Sequence, residues 1–235
     1  MSALDPPPLQ PIRVPRPMRL AVFASGGGSN LGAILDAIDR GELDGSVALV
    51  VADRPGIGAL DRAGARGIPT RVLVPEELAD PSGAAVLSEL GGHEIGAIAL
   101  AGYLKHVPEP VVQQYDGRML NVHPSLLPAF GGAGMYGRRV HQAVLDRGCR
   151  VSGATVHLVD AGYDTGPIVL QGTVEVRDDD TPESLARRVL AVEHRIFPRA
   201  LALLAAGRLA LDRQPRTGSG SARVRLLPSP STAPS

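Results

Sequence analysis

Residues Met18–Asn30 read M-R-L-A-V-F-A-S-G-G-G-S-N, and this stretch decides the fold class. It begins with an almost continuous apolar run, which is typical of a strand buried on both faces of a sheet. Glycines end the strand, and the residues after them carry apolar side chains at helical spacing, at Leu31, Ile34, Leu35 and Ile38. A buried strand that turns through glycines into a helix predicts a parallel sheet covered by helices.

The same alternation of apolar strands and amphipathic helices continues along the body of the chain. The predicted strands are Met18–Ala24, Val47–Ala52, Thr70–Val74, Ile95–Ala101, Met119–Val122, Ala154–Val159 and Pro167–Val176. The predicted helices are Asn30–Arg40, Ile57–Arg66, Pro81–Leu90, Pro108–Tyr115, Arg139–Leu145 and Thr181–Ala206. This order predicts an α/β protein: a single Rossmann-like domain with a mostly parallel, twisted sheet of about seven strands and helices on both faces.

Two polar tails flank this body, which extends over residues 18–212. Residues 1–17 are rich in proline, and residues 213–235 are rich in serine, proline, glycine and arginine. Neither composition has the periodic apolar side chains that would bury a face, so we expect both tails to be mobile or loosely attached.

The composition argues against several classes of protein. The 235 residues carry 24 basic and 24 acidic side chains, so we expect no field that would gather nucleic acid or an anionic membrane. Cys149 is the only cysteine, which excludes an internal disulfide and a multi-cysteine zinc site. No set of His, Asp and Glu residues has zinc spacing, so we expect no metal. Lys105 is the only lysine and does not follow a glycine, which excludes a P-loop.

The sequence also predicts where the protein is located. No apolar run approaches the ~20 residues that span a bilayer. The proline-rich N-terminal segment lacks the apolar core of a signal peptide. We therefore expect a cytoplasmic protein.

The glycine turn after the first strand predicts a phosphate site. Glycines allow the backbone to approach a ligand, and the helix that starts at Asn30 offers free N–H groups and a partial positive charge. Gly28, Ser29 and Asn30 are the candidate phosphate ligands. A dinucleotide fingerprint is the competing interpretation, but the position of its third glycine is held by Leu31. A tight turn with a Ser or Asn cap is the structural alternative.

A second candidate site lies where the fifth predicted strand ends. Asn121 and His123 are two residues apart and therefore share a face of the strand. An amide donor and a histidine could stabilise an oxyanion as it forms. A carboxylate beside His123 would hold it as the imidazolium and could relay a proton, and Asp164, next to Thr165-Gly166, is the preferred candidate. Asp160 is interpreted as a turn residue and His157 as a structural histidine.

Several segments together resemble the phosphoribosylglycinamide formyltransferase family of folate-dependent formyl transferases. The resemblance covers roughly residues 18–211 and rests on Ser25–Asn30, Ala101–Tyr103, Asn121–Pro128, Val156–Pro167 and Glu193-His194. It implies the formyltransferase fold and transfer of a formyl group from 10-formyltetrahydrofolate, as cosubstrate, to the amine of 5'-phosphoribosylglycinamide in purine synthesis. It implies small-molecule substrates, and the sequence leaves monomer or homodimer open.

The resemblance also implies roles for individual residues. Asn121, His123 and Asp164 match the family's catalytic trio. Gly28, Ser29 and Asn30 would bind the substrate phosphate, and Glu193 would bind the ribose hydroxyls. The folate pocket would be lined by Leu104, Lys105, His106, Val107, Asn121, Asp160, Ala161, Gly162, Tyr163 and Asp164.

The sequence departs from the family pattern at two places. The loop Phe130–Gly137 is longer and richer in glycine, and it either moves over the site or wraps differently. Ala84 stands about where some members carry a folate-contacting arginine, which puts the folate contacts there in doubt.

Other functions remain open at this point. A formyltetrahydrofolate hydrolase shares the trio but usually adds an N-terminal regulatory domain and should lack the phosphate loop. A tRNA-directed formyl transferase carries a further C-terminal domain for RNA. A nucleotide-dependent oxidoreductase and a non-catalytic binding protein are the candidates from other classes.

Overall fold

The computed structural model describes residues 9–213 and 222–228. Its helices are α1 (Ser29–Asp39), α2 (Gly58–Gly64), α3 (Pro75–Ala79), α4 (Ala84–Gly92), α5 (Glu109–Gln114), α6 (Arg138–Asp146) and α7 (Pro182–Ala205). Its strands are β1 (Met18–Ala24), β2 (Gly45–Ala52), β3 (Thr70–Val72), β4 (Ala97–Leu100), β5 (Met119–His123), β6 (Val151–Leu158), β7 (Ile168–Glu175), β8 (Leu209–Asp212) and β9 (Arg223–Leu226).

The first seven strands form one sheet in the order β3-β2-β1-β4-β5-β6-β7. Strand β1 is central and contributes to the cores on both faces of the sheet. Leu20 and Val22 belong to the core covered by α1 and α7, and Ala21 and Phe23 to the core covered by α4 and α5. The predicted α/β fold with a mostly parallel sheet of about seven strands and helices on both faces is confirmed.

The sheet is parallel only as far as β5. Strand β6 pairs antiparallel with β5, although α6 lies between them in the chain, and antiparallel with β7, to which a loop over residues 159–167 joins it. The alternation of strands and helices therefore predicts the direction of the first five strands correctly. It does not predict that β6 pairs antiparallel with both of its neighbours. The antiparallel pairing places Asn121 directly opposite His157, which matters for the site below.

The helix predicted over Pro81–Leu90 begins only at Ala84, because Gly83 has a φ of 60°, in the left-handed region. A short helix, α3, was missed before it. Pro75 suits its first position, and Glu77 accepts a hydrogen bond from the backbone N–H of Val74 at 3.0 Å.

Parts of both predicted tails are folded onto the body, so the expectation of loose attachment is wrong for them. Ile12 packs against the core, and its N–H donates to the carbonyl oxygen of Leu209 at 2.7 Å. Strand β9 pairs antiparallel with β8, and Val224 also contacts the core. Isolated apolar side chains suffice for this attachment even though neither tail has a periodic pattern. The remaining tail residues, 1–8, 214–221 and 229–235, lie outside the described residues.

Candidate active site

A cavity of about 610 Å³ lies beyond the carboxyl ends of β4 and β5, as the sheet topology predicts. Its walls come from the segments after β4 and β5, the loop before β7, and helices α6 and α7. The residues with predicted site roles that line it are Leu104, Lys105, His106, Val107, Asn121, His123, Asp160, Gly162, Tyr163, Asp164 and Glu193. Gly28, Ser29, Asn30 and Ala161 are not among its lining residues.

The three predicted catalytic residues lie together in the cavity wall. Nδ1 of His123 is 3.3 Å from Oδ2 of Asp164, and the amide nitrogen of Asn121 is 3.4 Å from Oδ1. The backbone N–H of Gly132 donates to Oδ2 at 2.9 Å. Asp164 has a φ of 58°, a conformation that costs a non-glycine residue roughly 1–2 kcal/mol. These contacts offset that cost and hold the carboxylate against both strand residues.

His157 belongs to the same network, although the sequence suggests only a structural role for it. Its Nδ1 is 2.8 Å from the carbonyl oxygen of Leu158. Because a carbonyl only accepts, Nδ1 carries the hydrogen, and in the neutral ring Nε2 is an acceptor. Nε2 accepts from the amide nitrogen of Asn121 at 3.0 Å, which fixes the orientation of that amide. Only the pairing of β5 with β6 reveals this contact, and a single sequence does not contain that register.

Both ring nitrogens of His123 have protein partners. Nε2 donates to the carbonyl oxygen of Phe130 at 2.9 Å, which leaves Nδ1 facing Asp164. Burial lowers the pKa of His123 below its usual value, and the opposing effects of Asp164 and the Phe130 carbonyl do not compensate. The expectation that Asp164 holds His123 as the imidazolium stays a prediction: burial opposes the charged ring, whereas the acceptors at both ring nitrogens favour it. The contact between Nδ1 of His123 and Oδ2 of Asp164 is attractive only if one of these two atoms carries a proton.

The surroundings of Asp164 favour its negatively charged form. Burial raises the pKa of its carboxyl, but the backbone N–H of Gly132 and the proximity of His123 and His157 lower it by a larger amount. The net pKa lies below the usual value, so Asp164 is ionised at neutral pH. An ionised acceptor beside Asn121 and His123 can receive a proton during a reaction.

The glycine loop is built as a helix entrance without a side-chain cap. Gly28 has a φ of 71°, and a Cβ at this position would lie 2.7 Å from the Cα of Ala59. Both facts require glycine there. The first helical hydrogen bond of α1 is donated by Gly32 to Gly28, so the N–H groups of Ser29 and Asn30 have no partner within the helix.

Asn30 connects this loop to the cavity. Its side-chain amide donates to Oε2 of Glu193 at 2.7 Å, and Glu193 lines the cavity. The amide is therefore committed to the protein, and the backbone N–H groups are what the loop offers to an anion. Glu193 is 8% exposed, and burial raises its pKa to about 7 in spite of the hydrogen bond from Asn30.

The loop Phe130–Gly137 forms one wall of the cavity through Gly132–Gly137. Tyr136 and Arg138 line the cavity, whereas Arg139 lies over the ring of Tyr136 with 5.1 Å to its centroid. Ala84 opens α4 and is not among the lining residues. Asp160 behaves as the predicted turn residue, since it accepts from Gly162 and Thr165.

Two features of other site types can be checked in the described part of the chain. Within residues 9–213 and 222–228, no three His, Cys, Asp or Glu side chains are grouped so that they could hold a metal ion. In the same residues, no helix is both long and apolar enough to cross a membrane.

Comparison with known proteins shows the family of the chain. Residues 18–201 match the formyl transferase family, and the chain therefore belongs to that family. It is 39% identical over 182 residues to phosphoribosylglycinamide formyltransferase from Bacillus subtilis, covering 77% of this chain and 91% of that protein. It is 46% identical over 187 residues to the chloroplastic enzyme of that name from Arabidopsis thaliana, covering 78% of this chain but only 64% of the relative.

A solved structure gives the same result. Glycinamide ribonucleotide transformylase 1 from Symbiobacterium toebii is similar with a TM-score of 0.79 and 40% identity. The match covers 90% of this chain and 94% of that chain. The family resemblance seen in the sequence is thereby confirmed.

The raised pKa of Glu193 gives a prediction for stability. Between its usual value of 4.5 and about 7, the folded state binds a proton that the unfolded state lacks, so this residue destabilises the fold as pH rises. Glu193→Gln keeps an acceptor for Asn30 and removes the titration. We expect the variant to be more stable than the wild type at pH 8, by up to about 3 kcal/mol, and equal to it near pH 4.5. Urea unfolding at several pH values measures the difference. A variant that is no more stable at pH 8 contradicts the argument.

Proposed function

We propose that this chain transfers a formyl group from 10-formyltetrahydrofolate to the amine of 5'-phosphoribosylglycinamide, giving formylglycinamide ribonucleotide in purine synthesis. The hydrogen bond from Asn30 to Glu193 carries the proposal, because it joins an uncapped helix N-terminus to the cavity that contains Asn121, His123 and Asp164. A phosphorylated sugar and a formyl-transfer centre thus have adjacent sites. The names of the similar proteins support the same reaction.

The ribonucleotide would bind at the α1 end of the cavity. Gly28 provides the left-handed turn at which α1 begins, and the backbone N–H groups of Ser29 and Asn30 donate to the phosphate, aided by the helix dipole. Glu193 accepts hydrogen bonds from the ribose hydroxyls with the carboxylate oxygen that Asn30 leaves free. In this assignment the backbone of Asn30 binds the phosphate. The side chain of Asn30 orients Glu193, and the carboxylate of Glu193 binds the ribose.

The formyl folate would bind against the segment after β4 and the loop before β7. The cavity volume of about 610 Å³ falls within the roughly 300–1,000 Å³ usual for small-molecule sites. Exposed Leu104 and Tyr163 line the cavity from these two segments, and Val107 is buried. The rings of His106 and Tyr163 meet edge to face with 5.3 Å between centroids, which provides an aromatic surface for a planar ligand. We also assign Lys105, His106, Asp160, Ala161 and Gly162 to this pocket.

Attack of the amine on the formyl carbon produces an oxyanion that needs hydrogen-bond donors. The Asn121 N–H that faces Asp164 is weakly held at 3.4 Å, so it is available to meet the oxyanion. Nε2 of His123 can join it once the Phe130 carbonyl has turned away. Phe130 has a φ of 57° and is followed by two glycines, so this change relieves strain at a flexible point.

Asp164 completes the reaction as the proton carrier. The attacking amine must be neutral, which holds for a large fraction of α-amines near pH 8. The proton that the amine loses on bond formation passes to the ionised Asp164, directly or through water, and then to the departing folate nitrogen. The reaction needs no metal. A cytoplasmic location and the absence of nucleic-acid partners stay predictions from the sequence. Whether the chain is a monomer or a homodimer stays open.

An absorbance assay with a 10-formyl folate donor tests the reaction. We expect folate release only when glycinamide ribonucleotide is present, because the amine is the nucleophile. Release at the same rate without the ribonucleotide would contradict the proposal and identify a hydrolase. Binding of the ribonucleotide without any release would identify a non-catalytic binding protein.

Substitution of Asn121 tests the proposed oxyanion contact. We expect Asn121→Ala to lower the turnover number by about 10²–10³, the usual effect of removing one oxyanion donor. The affinity for the ribonucleotide should change less than about twofold, since phosphate and ribose are bound elsewhere. Gln113→Ala removes an exposed amide outside the cavity and serves as the control. Normal turnover of the Asn121 variant would show that the amide does not stabilise the oxyanion.

A further inference from the structure

His141 is a buried cavity residue that the mechanism above does not use. It lies on α6, is 4% exposed, and lines the cavity together with His123 and Glu193. Nδ1 is enclosed without a hydrogen-bond partner, and no described residue is bonded to Nε2. Buried polar groups of folded proteins are normally hydrogen-bonded, so an unpartnered imidazole in a cavity wall indicates a partner that arrives with a ligand.

The position of His141 identifies the part of the ligand that it would meet. Helix α6 packs on α7, the helix that carries Glu193. His141 is also close enough to His123 for the charge of that ring to lower its pKa, in addition to the larger effect of burial. The residue therefore belongs to the cavity wall near His123, on a helix that packs against the helix of the proposed ribose ligand.

We propose that Nε2 of His141 hydrogen-bonds the glycinamide group of the ribonucleotide and orients its amine toward Asn121. The proposal rests on the proposed function, in which phosphate and ribose bind at Gly28–Asn30 and Glu193. Glycinamide is the portion of the molecule that extends from there to the trio. It offers both a carbonyl acceptor and N–H donors, so Nε2 finds a partner in either tautomer of the neutral ring.

The lowered pKa of His141 is consistent with this contact. Burial keeps the ring neutral near pH 7, so the ring does not add a positive charge beside His123. A neutral ring also does not repel the positive charge that develops on the attacking amine. Val140 and Val144 on the same helix are buried, so α6 is anchored in the core on either side of His141 in the sequence.

Calorimetric titration with two ligands tests the proposal. Glycinamide ribonucleotide and ribose 5-phosphate share phosphate and ribose, but only the first carries the glycinamide. We expect His141→Leu to weaken binding of glycinamide ribonucleotide about tenfold, the effect of one lost hydrogen bond of about 1.4 kcal/mol. Binding of ribose 5-phosphate should stay within about twofold of the wild type. An equal loss for both ligands, or no loss for either, overturns the proposal.

Conservative variants separate the hydrogen bond from packing. The amide of His141→Gln reaches the region of Nε2, and we expect it to restore binding of glycinamide ribonucleotide to within about threefold. The amide of His141→Asn reaches only the region of Nδ1, and we expect no rescue. Val144→Ala perturbs the same buried helix face without removing a polar group, so it should lower the melting temperature without discriminating between the ligands.

Two results would count against the Nε2 contact itself. Rescue by Asn instead of Gln would assign the contact to the wrong nitrogen. A wild-type chain that binds both ligands equally would show that the glycinamide makes no favourable contact. If the proposed function is wrong, the wild type shows no ribonucleotide-dependent turnover in the absorbance assay. The titrations are independent of that result because they require no folate.

Discussion

The pairing of β1 with β2 on one side and β4 on the other is the constraint on which the site depends. The chain runs from β1 to β2 and later returns to β4, so the loops that follow β1 and β4 leave the sheet on opposite sides and open a crevice. Two hydrogen bonds fix these loops against each other. The N–H of Ser25 donates to Gly102 at 3.2 Å, and the N–H of Leu104 donates to the Ser25 hydroxyl at 2.9 Å. The glycine loop and the proposed folate wall are therefore set by the central strands.

One carboxylate organises the reacting end of the cavity. Asp164 meets His123 and Asn121 from β5, His157 from β6 and the backbone of Gly132 from the loop after β5. A charged acceptor among several donors is stabilised by hydrogen bonds in a site of low dielectric constant. The same arrangement leaves His123 occupied by Phe130 and Asn121 by His157, so a substrate must exchange with contacts that already exist. In the proposed mechanism the Asn121 N–H that faces Asp164 is already available to an oxyanion, whereas Nε2 of His123 becomes available when the Phe130 carbonyl moves.

The sequence was sufficient for those parts of the fold that depend on local pattern. The apolar runs of β1 and β2 and the glycine turn before α1 are visible without any knowledge of pairing. The trio followed from the spacing of Asn121 and His123 and from the position of Asp164 beside Thr165-Gly166, and the family resemblance matched the same three residues. The position of His157 opposite Asn121 depends on an antiparallel register, and that of His141 on the rotation of α6 against α7. Neither can be read from a single sequence, and attachment of the tails through Ile12 and Val224 depends on long-range contacts of the same kind.

A crystal structure with glycinamide ribonucleotide bound would test the central claim most directly, namely that α1 and Glu193 form one end of the reaction cavity. The account predicts phosphate oxygens within hydrogen-bond distance of the backbone nitrogens of Ser29 and Asn30. It predicts ribose hydroxyls on Glu193 and the amine directed toward Asn121. A phosphate bound instead beside Lys105 would reverse the ribonucleotide in the cavity and contradict the account.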